Sequence, residues 1–133
     1  MKAERFRSRD VEMQSPMTIR RMKTYTGGQG YVYQHYFVGK RAATSGEAAA
    51  EYVFDVTSDR KTTFAVSVFL TEQATREWAA SHNRTLTDAE QYGAVKMRLF
   101  KAFDEIENMM ADGRQLFVDP KTLEQVLVTL GVD

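Results

Sequence analysis

Basic and aromatic side chains occur close together in the first β-rich stretch of this sequence. Lysine and arginine attract phosphate oxygens and aromatic rings stack on bases, so this combination suits single-stranded nucleic acid. The same residue types also suit a plain sheet, because tyrosines bury well there and arginines protect an edge strand from aggregation. Lys40 and Arg41 follow a few residues later. The residues of this basic-aromatic set are Arg20, Arg21, Lys23, Tyr25, Tyr31, Tyr33, His35 and Tyr36.

A glycine-rich segment, Gly27-Gly28-Gln29-Gly30, interrupts the same stretch. Glycine loops can cradle phosphate with free backbone N–H groups. A phosphate-binding loop, however, needs a Gly-Lys-Ser/Thr sequence that enters a helix, and a dinucleotide fingerprint also leads into a helix. Here the residues that follow are β-like, so the pattern predicts the loop of a hairpin.

The titratable residues form no recognisable catalytic or metal-binding motif. His35 and His82 are the two histidines, and neither stands at a spacing typical of zinc ligands. Asp104, Glu105 and Glu107 fall mostly opposite the apolar stripe of a predicted helix, which indicates a solvated face. No serine has the sequence context of a nucleophile elbow. The sequence therefore predicts no catalytic residue, no cofactor site and no metal site.

Composition limits the class of protein. A length of 133 residues fits one domain, and 43% hydrophobic residues suffice for a core. Eighteen basic and eighteen acidic residues cancel, which argues against a general affinity for nucleic acid or anionic membranes but leaves room for a local patch. The chain has no cysteine, so disulfides and thiolate chemistry are excluded. It also lacks a long apolar run and a signal-peptide pattern, and we expect a cytoplasmic protein with no membrane partner.

The hydrophobic pattern predicts an α+β domain over residues 17–133, preceded by a flexible tail over residues 1–16. Two hairpins come first, then two helices, a short strand and a last helix, in the order ββββααβα. Strands grouped before helices favour an antiparallel four- to five-stranded sheet with three helices packed on one face. The predicted strands are 18–25, 31–38, 51–57, 62–70 and 114–118, with a loop and one possible helical turn over 39–50, and helices beginning at Thr71, Asp88 and Pro120.

The longest predicted helix runs from Asp88 to Ala111 and begins at a capping box formed by Thr87 and Glu90. Its apolar stripe is wider than one sheet face requires. A second copy of the chain is one possible cover, and the helices around Trp78 or Leu123 are the alternative. The predicted dimer or partner face consists of Met97, Phe100, Phe103 and Met110.

Three functions are compatible with these patterns. The first is a non-catalytic binding or interaction module that forms a homodimer. The second is a single-stranded nucleic-acid binder that uses the basic-aromatic set. The third is a small-ligand domain or enzyme with a pocket between the sheet and the long helix. The residues expected to line that pocket are Tyr33, His35, Phe54 and Tyr92.

Overall fold

A computed structural model of the chain describes residues 22–28 and 30–133. The predicted tail over residues 1–16 lies outside the described residues, as do Arg20 and Arg21 of the basic-aromatic set. The strands are β1 (Lys23–Thr26), β2 (Val32–Ala42), β3 (Ala49–Thr57), β4 (Phe64–Thr71) and β5 (Gln115–Val118). The helices are α1 (Glu72–His82), α2 (Asp88–Glu105), α3 (Met109–Asp112) and α4 (Pro120–Leu130).

The five strands form one sheet in the order β1-β2-β3-β4-β5. The first four are antiparallel neighbours, as a chain of hairpins requires. β5 pairs in parallel with β4, because the intervening helices carry the chain back to the end of the sheet at which β4 begins. The α+β class and the order of the predicted elements are confirmed, with one parallel pair in place of a wholly antiparallel sheet.

Two boundaries differ from the sequence pattern. β2 and β3 continue through much of residues 39–50, where we predicted a loop, because Lys40, Arg41 and Ala42 pair with β3. The helix that begins at Asp88 ends at Glu105 instead of Ala111. The reason is local, since the side chain of Asn108 accepts a hydrogen bond from Ala111 N–H and starts the separate short helix α3.

The predicted helix starts are confirmed at the level of individual hydrogen bonds. Thr71 accepts from Ala74 N–H, and Asp119 accepts from Thr122 N–H. Thr87 and Glu90 form the full capping box. Within the described residues, no helix combines the length and the apolar character needed to cross a membrane.

A β-bulge in β2 changes which side chains share a face. Phe37 pairs with Phe54, whereas Gly39 pairs with Val53, so one extra residue is inserted between them. Beyond the bulge, Lys40 lies opposite Tyr52. As a result Phe37 and Lys40 both lie on the face of the sheet that the helices cover, although simple alternation would separate them.

The core lies between that face and the helices. α2 contacts both edges of the sheet: Phe100 stacks on Tyr25 of β1 at 4.5 Å, and Arg98 Nε donates to the carbonyl oxygen of Phe117 in β5 at 3.1 Å. α4 packs against both α1 and α2. The buried core includes Phe54, Val66, Val68, Leu99, Phe103, Leu116, Leu123 and Leu127.

The loop between β1 and β2 is fastened to the end of α2. The carboxylate of Asp104 accepts hydrogen bonds from the hydroxyl of Tyr25 at 3.0 Å and from Gly28 N–H at 2.8 Å. Burial and the hydrogen bond to Asp104 raise the pKa of the Tyr25 phenol. Gly27 approaches α2 so closely that an added Cβ would lie 2.7 Å from the carbonyl oxygen of Phe103.

We expect Gly27→Ala to lower the free energy of unfolding by about 1–3 kcal/mol, because the clash is with backbone that cannot rotate away. Urea denaturation followed by circular dichroism measures the loss. Gly28→Ala is the matched control, since a Cβ there meets Asp104 at an ordinary 3.7 Å. Equal stability of the two variants would contradict the close approach of Gly27 to α2.

Candidate functional site

The second face of the sheet has no helix over it in the described part of the chain, and we call it the open face. Its side chains alternate with those of the core, and most of them are half-buried or exposed. An antiparallel sheet commonly leaves one face to solvent, and such a face is then expected to be polar. The open face carries Gln34, Tyr36, Arg41, Glu51, Val53, Asp55, Ser67, Phe69 and Phe117.

Two aromatic rings on this face are paired with each other. Phe69 of β4 lies opposite Phe117 of β5, and their rings stack with centroids 5.1 Å apart and planes 17° apart. Phe117 is 55% exposed, the most of any aromatic residue among the described residues. Val53 lies two strands away on the same face. A large exposed ring in the middle of a strand costs hydration free energy unless a partner covers it.

The charged groups of the open face already have partners within it. Arg41 makes two hydrogen bonds to the carboxylate of Glu51, at 2.9 and 3.2 Å, and Ser67 Oγ donates to the same carboxylate at 2.6 Å. These hydrogen bonds, that of Arg41 first, lower the pKa of Glu51. Asp55 accepts from the hydroxyl of Tyr36 at 2.7 Å. The face is thus electrostatically satisfied without a ligand.

The structure divides the described members of the basic-aromatic set between different surroundings. Tyr33 and His35 are buried under α2, and the Tyr33 ring stacks on Phe103 at 4.2 Å. Tyr25 stacks on Phe100, Tyr31 is exposed beside the hairpin loop, and Tyr36 lies on the open face. Among the described residues, these tyrosines therefore form no single continuous surface.

His35 lies in a positively charged setting within the core. Burial first, and then the positive charges of Lys96 and Lys23, lower its pKa to about 4. Its ring meets the Phe100 ring edge-on at 5.4 Å. Burial and the charge of Lys23 also lower the pKa of Lys96. His35 is accordingly neutral at pH 7, and no carboxylate of the described residues forms an ion pair with it.

The predicted dimer face on the long helix is also divided. Phe103 is fully buried against β1 and β2 of the same chain, and Phe100 is covered in part by Tyr25. Met97 packs against the core, whereas Met110 on α3 is 45% exposed. The sheet of the same chain therefore covers much of the apolar stripe of the long helix, for which a second copy was one of the predicted covers.

Side chains fill the space where a ligand pocket was predicted between sheet and helix. Tyr33, His35 and Phe54 are buried, and the Tyr92 ring packs 6.3 Å from Phe54. The described part of the chain has grooves at its surface instead, of which two border the sheet. One, of about 400 Å³, is lined by Lys40, Arg41, Ala42, Ala49, Glu72 and Gln91. Another, of about 520 Å³, includes Tyr31, Tyr33, Met109 and Met110.

No group of three or more histidine, aspartate or glutamate side chains is arranged to hold a metal ion in residues 22–28 and 30–133. No family model matches the chain, and the searches of curated proteins and of solved structures found no match.

Sequence reasoning missed three residues that shape these surfaces. Phe69 and Phe117 were assigned to strands, but their stacking depends on the parallel pairing of β4 with β5, which no local pattern reveals. Nothing in the apolar pattern of the long helix singles out Lys96. Its only sequence signal is its place between Tyr92 and Phe100, four residues away on each side, which puts all three on one helix face.

Proposed function

We propose that the protein is a non-catalytic interaction module that forms a homodimer through its open face. The single observation that carries this proposal is the stacked pair of half-buried Phe69 and exposed Phe117, on a sheet face that no helix of the described residues covers. Sheets pack face to face at about 10 Å, and exposed aromatic rings are the usual anchors of such contacts.

Charge complementarity favours a second copy as the occupant of this face. In a two-fold dimer the same patch meets itself, so a patch with unpaired charges of one sign would repel its copy. Here Arg41 and Glu51 form an ion pair at 2.9 Å, and Asp55 is hydrogen-bonded to Tyr36. Two such faces can therefore approach each other without bringing unpaired charges of the same sign together.

The size of the open face fits a dimer of moderate affinity. β4 has eight residues, so the face is about 26 Å along the strands, and four interstrand spacings make it about 19 Å across. Two copies would then bury roughly 1,000 Å² in total, near the lower limit for a specific interface. We therefore expect association in the micromolar range.

Sedimentation velocity of the full chain over a range of micromolar concentrations tests this proposal. We expect a reversible shift from monomer to dimer, and Phe117→Lys should weaken dimerisation by about thirtyfold because it places a charge at the anchor. Val128→Lys is the matched control, since Val128 is also an exposed apolar residue (71%) but lies on α4. That variant should dimerise like the wild type.

A species that stays monomeric at the highest soluble concentration would contradict the proposal. So would a dimer that Phe117→Lys leaves intact, because the interface would then lie elsewhere. Circular dichroism of each variant verifies that the sheet is still formed.

A further inference from the structure

Three lysines lie beside aromatic rings on the helix-covered side of the sheet, and we call them the lysine seam: Lys23, Lys40 and Lys96. Lys23 of β1 pairs with His35 of β2. Lys96 of α2 lies over two rings, with its Nζ 5.3 Å from the centre of Tyr92 and 5.4 Å from that of Phe100. Lys40 lies farther along β2, beyond the bulge.

A chain of ring contacts connects Lys40 of β2 with Lys96 of α2. Lys40 Nζ lies 5.4 Å from the centre of the Tyr52 ring, and Tyr52 lies 6.4 Å from Tyr92, the ring under Lys96. From His35, opposite Lys23, to Lys40 the strand advances about 15 Å. The seam therefore runs along β2 for a length comparable to a few nucleotides.

The seam has no acidic partner. In the described segments, no carboxylate forms an ion pair with Lys23, Lys40 or Lys96. Lys96 is half-buried, and burial first, and then the positive charge of neighbouring lysines, lower the pKa values of Lys96 and His35. The lysines would attract an anion bound here, and no ion pair within the described residues would have to be broken to bind it.

An exposed ring lies within the seam. Phe37 is 39% exposed and meets the Tyr92 ring edge-on at 5.1 Å, which holds it in place. The bulge in β2 puts Phe37 and Lys40 on one face, so a ring and an ammonium group are offered side by side. A base stacks on such a ring while the backbone phosphate lies against a lysine.

We propose that the lysine seam binds the phosphate backbone of single-stranded nucleic acid and that Phe37 stacks on one of its bases. Of the described members of the basic-aromatic set, Lys23 takes part, whereas Tyr33 and His35 are buried. The balanced charge of the whole chain does not oppose this local binding, since attraction at short range depends on the nearest charges. The seam lies on the opposite side of the sheet from the open face, so dimerisation leaves it accessible.

Fluorescence anisotropy of the full chain with a labelled oligothymidylate, measured at several salt concentrations, tests the proposal. We expect binding at low salt that weakens as salt rises. The double variant Lys40→Gln/Lys96→Gln should bind about tenfold or more weakly, and the slope of log K against log salt should fall by about 1.4, because two phosphate contacts are lost.

The double variant Lys61→Gln/Lys121→Gln is the control, since it removes the same charge from exposed lysines outside the seam. It should stay within about twofold of the wild type. Equal loss in the two double variants, or no binding by the wild type at low salt, would overturn the proposal.

Phe37→Leu separates base stacking from plain attraction of anions. We expect about tenfold weaker binding of the oligonucleotide with an unchanged salt slope. Inorganic polyphosphate should compete poorly, because it has no bases. Competition by polyphosphate at the same phosphate concentration, together with no effect of Phe37→Leu, would show that the seam attracts any polyanion and would overturn the assignment to nucleic acid. Thermal melting of Phe37→Leu verifies that the variant is folded.

Discussion

Replacing Phe103 with alanine is expected to lower the free energy of unfolding by about 3–5 kcal/mol, the range for truncating a fully buried ring. Phe103 has no exposed surface, and its ring stacks on Tyr33 at 4.2 Å and lies 5.7 Å from Tyr25. Alanine would leave a cavity between α2 and the first hairpin. Urea denaturation followed by circular dichroism measures the effect.

Met110→Ala is the control, because both residues belonged to the predicted dimer face and Met110 is 45% exposed. Its cost should be below about 0.5 kcal/mol, as for most surface positions. If Phe103→Ala lost stability only at high protein concentration, the residue would act between copies and its place in the core would be contradicted. Phe103→Leu, which keeps most of the apolar volume, should lose clearly less than the alanine variant.

Acid is expected to destabilise the protein through His35. The pKa of His35 falls from about 6.5 in an unfolded chain to about 4 in the fold, because burial and the charges of Lys96 and Lys23 oppose protonation. Between these values the unfolded chain binds a proton that the folded chain does not. Stability is therefore fully present above pH 6.5 and falls as the pH drops from 6.5 to 4, by about 2–3 kcal/mol.

Free energies of unfolding measured by urea titration between pH 4 and pH 7 check this prediction. In His35→Gln, the decrease in the free energy of unfolding between pH 7 and pH 4 should be smaller than in the wild type by most of the expected contribution of His35, which is about 2–3 kcal/mol. This holds whatever the stability of the variant at pH 7. His82→Gln should retain the loss that His35 causes, since His82 lies at the end of α1, where its Nε2 is 2.9 Å from Glu124. A wild-type stability that is flat from pH 7 to pH 4 would contradict a neutral, buried His35.

Local patterns were sufficient to predict most of the fold. The capping residues Thr71, Thr87 and Asp119 specify helix starts by hydrogen bonds within three residues, and each one is confirmed. The alternation of Phe64, Val66, Val68 and Leu70 likewise marks β4, because a strand with one buried face repeats every two residues. Signals of this kind depend on neighbours in the chain and can be read from one sequence.

The features that sequence could not predict depend on residues far apart in the chain. Phe117 pairs with Phe69 only because β5 lies parallel to β4, and the aromatic stripe of α2 is covered by Tyr25 and Tyr33 from the first hairpin. The bulge is an intermediate case. Gly39 inside a run of β-forming residues is a known sign of a bulge, but we predicted a strand end there.

The two outer strands of the sheet are the shortest, with four residues each in β1 and β5, whereas β2, β3 and β4 have eleven, nine and eight. β1 pairs only with Val32–His35 of β2, so the outer edge of β2 from Phe37 to Ala42 has no strand beside it in the described part of the chain. Lys40 and Arg41 lie in this stretch, and charged side chains on a sheet edge oppose the addition of another strand there. The dimer that we propose for the open face would, in contrast, be a two-fold contact that closes on itself and stops at a pair.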